Sequence, residues 1–303
     1  MESFLDRLQD IVREEQILLK EPMKKHTTFK VGGPADIFVK PETIGQLQNI
    51  LSLANQEQMP VYIIGNGSNL LVGDLGYRGM MIQIYKNMNQ ITVEGNKIKA
   101  QAGALLSTIA KRALEHGLGG FEFASGIPGT LGGAVTMNAG AYGGEMKQVI
   151  KEALVLTRDG ELKTLAVDDL KLGYRKSIII DEDYIVLEAT LEFEPDQPEN
   201  IQSKMNEYAQ ARKTKQPLEY PSAGSTFKRP EGYFAGKLID DTGLRGYTYG
   251  GAQVSEKHCG FVINKDNATA EDIVSLMHQV NEKVTAKFGV SLEPEVKMIG
   301  EFK

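Results

Sequence analysis

Seven of the nineteen residues from Gly126 to Gly144 are glycine. A stretch of that composition makes a poor helix and a poor strand, because glycine loses more backbone freedom on ordering than any other residue. Something the glycines permit must offset that cost. The order is Gly126-Ile127-Pro128-Gly129-Thr130-Leu131-Gly132-Gly133-Ala134, then Asn138-Ala139-Gly140-Ala141-Tyr142-Gly143-Gly144. No lysine lies inside it, which excludes a Walker-type phosphate loop. Backbone amides and small hydroxyls can still cradle a diphosphate and let a flat ring lie against the chain. The alternative is a tight glycine corner in a packed β lobe. Long ordered loops usually carry function, which favours the cradle.

A shorter stretch, Gly65-Asn66-Gly67-Ser68-Asn69-Leu70, follows the apolar run Val61 to Ile64, which has the character of a buried strand. A strand that runs into a G-x-G turn brings amides against a pyrophosphate, where side chains would block the approach. It is not a Rossmann fingerprint. Leu70 stands where the third glycine belongs, and Val72-Gly73-Asp74-Leu75-Gly76 is too glycine-rich to open a helix. An ordinary turn between strands is the alternative here.

The surrounding pattern is mixed. Phe4, Leu5, Leu8, Ile11 and Val12 recur at helical spacing, Asp36 to Val39 suits a short strand, and Thr43 opens a helix carrying Ile44, Leu47, Ile50, Leu51 and Ala54. Short strands are expected at 80–84, 91–93, 98–101 and 153–157, with a helix at 105–116. Leu187, Ala189, Leu191 and Phe193 alternate with polar residues, as in a half-buried antiparallel strand. The polar segment Pro195 to Asn200 is the best linker. Helices follow on Ile201, Met205, Tyr208 and Arg212, and on Ile273 through Phe288. A chain of 303 residues exceeds a single core, and three lobes are expected, 1–86 joined by the tail 293–303, then 87–196, then 197–292. The class is α+β, without the regular alternation of a barrel or a doubly wound sheet.

Charge and cysteine usage narrow the partners. A formal charge of −6 argues against a dedicated nucleic-acid binder. The single cysteine, Cys259, excludes an internal disulfide framework and fits a reducing compartment. The N-terminus has no signal-peptide core, and no apolar run is long enough to cross a bilayer. A soluble, cytoplasmic, monomeric protein with a small-molecule substrate is expected.

Three further segments carry candidate chemistry. Lys204, Arg212, Lys213, Lys215, Lys228 and Arg229 outnumber Glu207 and Glu219, a local excess that suits a phosphorylated ligand. They flank Pro221-Ser222-Ala223-Gly224-Ser225-Thr226-Phe227-Lys228, where Gly224 frees the backbone to present the hydroxyls of Ser225 and Thr226. Glu293 and Glu295 sit two apart on an extended segment, near one face. Gly173-Tyr174-Arg175, expected after a short helix, offers the planar fork of an arginine to a carboxylate. The four histidines show no metal-ligand spacing, so no metal is expected. His258 and Cys259 are not a dyad, because neighbours on a strand point apart.

Six motifs in order resemble the UDP-N-acetylenolpyruvoylglucosamine reductase family: Thr27 to Gly33, Gly65 to Asn69, Ser125 to Gly133, Gly173 to Arg175, Ser222 to Lys228, and Leu292 to Val296. The first three are similar to the FAD-binding domain of vanillyl-alcohol-oxidase (PCMH-type) flavoproteins, and the others to the reductase's catalytic set. The resemblance implies a flavoprotein of peptidoglycan precursor synthesis that uses NADPH as co-substrate, with an α+β substrate-binding domain after the FAD-binding lobes. It implies FAD contacts at Gly65, Asn66, Gly67, Ser68, Asn69, Leu70, Ser125, Gly126, Pro128, Gly129, Thr130, Gly132, Gly133, Ala134, Asn138 and Gly140. It implies Arg175, Ser225 and Glu295 as catalytic residues, and Arg212, Lys215 and Lys228 at the UDP diphosphate. Only 49 residues separate Arg175 from Ser225, so the chain resembles the shorter type, without an inserted tyrosine loop.

Overall fold

The computed structural model describes residues 2–303. Its first part runs α1 (Glu2–Gln9), β1 (Ile17–Pro22), β2 (Pro34–Val39), α2 (Ile44–Gln56), β3 (Val61–Ile64), β4 (Leu70–Val72) and β5 (Tyr77–Gln83). Next come β6 (Ile91–Glu94), β7 (Lys97–Gln101), α3 (Leu106–Glu115), β8 (Leu118–Gly119) and α4 (Leu131–Thr136). The middle holds β9 (Gly140–Ala141), β10 (Gly144–Glu145), β11 (Ile150–Leu156), β12 (Leu162–Ala166), α5 (Ile178–Asp181), β13 (Ile185–Glu192) and β14 (Glu194–Pro195). The last third contains α6 (Pro198–Lys215), α7 (Ala235–Asp241), β15 (Thr248–Tyr249), β16 (Ala252–Val254), β17 (Val262–Asn264), α8 (Ala270–Phe288) and β18 (Lys297–Ile299). Contacts divide the chain into two compact units, one of 1–18, 38–66 and 80–211, the other of 19–37, 67–79 and 212–303.

The first unit is organised by a five-stranded antiparallel sheet, β12-β11-β13-β7-β6. In β13, Leu187, Ala189 and Leu191 are buried while Glu188 and Glu192 reach Lys99 (2.7 Å) and Lys151 (2.6 Å). The alternation expected from the sequence therefore sorts one face into core and the other into ion pairs. Helix α4 packs on β13. In the same unit β3 lies parallel to β5, from Val61 opposite Met80 to Ile64 opposite Gln83.

Two local expectations change. The stretch after Gly126 is not all loop, since Leu131 to Thr136 forms α4. Glycine is tolerated there because the helix comes hard against Ala102; a Cβ on Gly132 would lie 2.9 Å from the Ala102 Cβ. Residues 195–200, expected as the linker, also carry regular structure. Pro195 pairs with Leu118, and Pro198 opens α6, where its missing N–H costs nothing in the first turn. The Asp196 carboxylate accepts hydrogen bonds from the Gln197 N–H (2.7 Å) and the Asn200 amide (2.8 Å), closing that start.

The second unit packs α7, α8 and the three-stranded sheet β15-β16-β17 around Phe29, Leu71, Leu238, Ile273, Leu276, Val280 and Val284. Strand β18 runs parallel to β4, with Lys297 opposite Leu70 and Ile299 opposite Val72. Thr269 and Asp272 form a capping box at the start of α8, and Gly289 ends the helix in the left-handed conformation. A second acid reaches the same helix start. Asp74, just past β4, accepts the N–H groups of Ala270 (2.8 Å) and Glu271 (3.0 Å). These are amides that a helix leaves unsatisfied, and the negative charge also suits the helix N-terminus. Asp74→Ala should therefore lower the apoprotein's unfolding free energy by about 1–2 kcal/mol, with Asp74→Asn losing less. Urea denaturation with an unchanged m-value is the measurement; equal midpoints for wild type and Asp74→Ala would refute the cap.

Candidate functional site

Within the first unit, the two glycine stretches meet. The Asn66 side-chain amide donates to the Pro128 carbonyl (2.8 Å), and a Cβ on Gly65 would stand 2.2 Å from Thr130 Oγ1. Glycine at 65 is thus required by the approach itself. Among the described residues, the backbone amides of Asn66, Gly126, Gly129 and Thr130 donate no hydrogen bond within the protein. The next amides are engaged: Leu131 donates to the Ala104 carbonyl and Gly132 to the Ala102 carbonyl, both at 2.9 Å. Gly132, expected at the cofactor, also seats α4 through its N–H.

The Arg175 turn is tied to the end of this stretch. Asn138, 1% exposed, donates from its amide to the Gly173 carbonyl (3.2 Å) and to Glu145 Oε2 (3.0 Å), and its Oδ1 accepts the Lys147 N–H (2.9 Å). The Ser177 hydroxyl donates to the Thr136 carbonyl (2.6 Å). Asn138, expected as a cofactor contact, also links the end of α4 to the turn that carries Arg175. Residues 167–171 before that turn form no helix, contrary to expectation, and Arg175 adopts φ +54° in the tight Gly173–Lys176 bridge. Its guanidinium lies 5.0 Å from the Tyr174 ring centroid. Neither Ser177 nor the stack of Tyr142 on Tyr208 (4.4 Å, 3° between rings) was legible in the sequence. Both partners in each case are far apart along the chain.

Within the second unit, Gly67 turns with φ +61°, and a Cβ there would come 2.0 Å from the His26 carbonyl oxygen. The Thr28 N–H donates to the Gly67 carbonyl (3.1 Å), so the first motif of the chain grips the second. Asn69 donates from its amide to the Glu295 carbonyl (3.2 Å), and Asn69's carbonyl accepts the Lys297 N–H (3.1 Å). Leu70 is buried in β4.

Ser225 and Glu295 lie on bridged segments of this unit. The Thr226 carbonyl accepts the Glu295 N–H (2.8 Å), Phe227 bridges Pro294, and the Lys228 N–H donates to the Glu293 carbonyl (2.8 Å). Gly224 turns with φ +77°. Ser225 is exposed as expected, but Thr226 is 0% exposed and its hydroxyl accepts the Val262 N–H (2.8 Å). Only one of the two hydroxyls faces outward, because residue 226 is the one that anchors the segment.

Several residues of the basic cluster have partners of their own. Lys204 reaches Asp196 (3.8 Å) and Glu122 (4.0 Å), Lys228 pairs with Glu293, and Arg229 lies over the Phe234 ring (4.4 Å). Arg212 and Lys215 occupy the last turn of α6, where Arg212 also donates to Gln216 (3.4 Å). Cys259 lies in a turn rather than a strand; burial pushes its thiol up to about 11, and its Sγ sits 3.5 Å from Asp240 Oδ1.

Comparison with known proteins agrees with both units. Residues 35–166 match a family of FAD-binding domains, and residues 216–299 match the UDP-N-acetylenolpyruvoylglucosamine reductase C-terminal domain. UDP-N-acetylenolpyruvoylglucosamine reductase of Agathobacter rectalis is 54% identical, covering 99% of each chain, and that of Clostridioides difficile is 54% identical over 97% of each. The crystal structure of the Thermus caldophilus enzyme superposes with a TM-score of 0.81 at 35% identity, covering 94% of this chain and 98% of that one. An alkyldihydroxyacetonephosphate synthase structure shares the fold over 64% of this chain, with a TM-score of 0.50 at 16% identity. With the α+β fold and the FAD-binding domain in place, the chain belongs to the UDP-N-acetylenolpyruvoylglucosamine reductase family, oxidoreductases of peptidoglycan precursor synthesis.

Proposed function

We propose that the protein reduces the enolpyruvyl ether of UDP-N-acetylglucosamine to UDP-N-acetylmuramate, with FAD as cofactor and NADPH as co-substrate. What carries this reading is the segment of Ser225, an exposed hydroxyl beside the buried Thr226, whose carbonyl accepts the Glu295 N–H. FAD, when bound, would supply the hydride for the terminal carbon of the double bond. The cofactor fits the residues present: the amides of Asn66, Gly126, Gly129 and Thr130, unengaged within the protein and without bulky side chains at the glycines, suit its diphosphate.

The chain's own part is the proton and the charge. Ser225 donates its hydroxyl proton to C2 of the enolpyruvyl group, which holds an electron pair once the terminal carbon is saturated. A serine hydroxyl is a weak acid and suits only such a strongly basic acceptor. Arg175 and Glu295 polarise the substrate carboxylate and so spread the developing negative charge. Arg212, Lys215 and Lys228 bind the UDP diphosphate, Lys228 exchanging its Glu293 partner for phosphate oxygen. The enzyme works as a cytoplasmic monomer, and the three-lobe division at residues 86, 196 and 292 belongs to the same proposal.

The purified holoenzyme should show the absorbance bands of oxidised flavin, bleach with NADPH and recolour anaerobically with the enolpyruvyl substrate. A colourless protein that cannot be loaded with FAD would sink the whole reading, and a bleached protein that substrate fails to recolour would sink the substrate. Ser225→Ala should slow substrate-driven reoxidation by about 10²–10⁴-fold, the range of a positioned general acid, while bleaching by NADPH stays within about 2-fold. Equal loss of both half-reactions in stopped flow would remove Ser225 from the role of proton donor.

A further inference from the structure

The segment that carries Ser225 is held by a chain of hydrogen bonds that begins at an imidazole. The Gly260 N–H donates to Nδ1 of His258 (3.1 Å). The Gly260 carbonyl accepts the Thr226 N–H (2.8 Å), and the Thr226 carbonyl accepts the Glu295 N–H (2.8 Å). Thr226 is thus fixed through its N–H, its carbonyl and, by way of Val262, its hydroxyl. The exposed neighbour, Ser225, inherits its direction from that anchored residue.

The ring is itself closely held. The backbone N–H of His258 donates to Ser255 Oγ (3.2 Å), and the Phe261 ring meets the imidazole edge-on at 5.0 Å. Two glycines allow the backbone to approach it. A Cβ on Gly260 would lie 2.9 Å from His258 Cε1, and one on Gly236 in α7 would lie 3.4 Å from the same atom. The form of the ring that accepts this bond at Nδ1 is the neutral imidazole with its hydrogen on Nε2. Burial lowers its pKa from the ordinary histidine value, its own backbone hydrogen bond opposes this, and the charge of Arg245 lowers it further.

The charged groups around it are paired. Arg245 binds Asp240 of α7 (2.6 Å) and the Glu256 carbonyl, Lys237 binds Asp241 on α7 (2.7 Å), and Lys257 of the ring's own loop reaches Glu219 (3.5 Å). The pairing with Arg245 holds the Asp240 carboxyl below its usual range. Burial keeps the neighbouring Cys259 thiol protonated up to about 11.

We propose that His258 is the positioning residue for Ser225: its neutral Nδ1, acting through the Gly260 peptide, sets the backbone at 225–226, and protonation of the ring releases it. The proposal rests on Ser225 being the proton donor. Protonated imidazole has hydrogen on both nitrogens and cannot accept the Gly260 N–H. Substrate-driven reoxidation should therefore fall on the acid side of the ordinary histidine range, while reduction by NADPH does not.

The test is stopped-flow reoxidation of the NADPH-reduced holoenzyme by enolpyruvyl substrate across pH, together with amide hydrogen exchange on the apoprotein. His258→Leu, which has no acceptor, should slow reoxidation by about 10- to 100-fold, as misplacement of a catalytic group does. His258→Asn places Oδ1 where Nδ1 stood; it should restore the rate to within about 3-fold and abolish the acid limb, since an amide does not titrate there. In the apoprotein the Gly260 and Thr226 amides should lose protection in the leucine variant and keep it in the asparagine variant. An asparagine variant as slow as leucine, or one that keeps the wild-type acid limb, overturns the proposal. A wild type that substrate does not reoxidise overturns the functional reading instead, and with it the assignment to Ser225, whereas unaltered Gly260 and Thr226 exchange in the leucine variant overturns the hydrogen-bond chain alone.

Discussion

A Cβ on Gly67 would sit 2.0 Å from the carbonyl oxygen of His26, and one on Gly65 would sit 2.2 Å from Thr130 Oγ1. Backbone packed directly against its neighbours, with no side chain between them, is the constraint on which each unit depends. In the first unit it brings Gly65 and Asn66 onto the Pro128–Thr130 segment and leaves amides directed away from the protein's own carbonyls. In the second it locks the Thr27 to Gly33 motif to the Gly67 turn. Glycine loses entropy at such positions, and close hydrogen-bonded approach is what offsets the loss.

The same economy of side chains governs the candidate catalytic residues. Arg175 projects from a turn pinned by Asn138 and Ser177 to the end of α4. Ser225 projects from a segment pinned by Thr226 to Gly260, Val262 and Glu295. In each case a buried polar residue near the candidate catalytic one takes the hydrogen bonds that fix the backbone. A side chain on an anchored backbone is oriented by its anchor, as an acid or a carboxylate clamp requires.

Much of the fold was legible in the sequence. Thr43 does cap α2, Val61 to Ile64 is a strand, and the alternation from Leu187 to Leu191 does sort core from surface. These features are local: capping, period and turn chemistry act over a few residues. The misjudged segments all depend on contacts from elsewhere in the chain. Leu131 to Thr136 is helical despite its glycines because Ala102 and Ala104 accept its first amides. Pro195 to Asn200 is built rather than loose because Pro195 pairs with Leu118 and Asp196 closes the start of α6. Two of the six cations in the basic excess are paired, Lys204 with Glu122 and Asp196 and Lys228 with Glu293.

By itself, the sequence determined the α+β class, the two glycine stretches, the order of six motifs and hence the family, since each of these resides in residue type and short spacing. Tertiary structure alone decided which of the paired hydroxyls at 225 and 226 faces outward, that Asn138 bonds to the Gly173 carbonyl, and that Thr226 bonds to the Gly260 carbonyl. The reason is physical. A hydrogen bond between residues far apart along the chain leaves no periodic trace in sequence, and the group that accepts it is usually a backbone carbonyl, which every residue has.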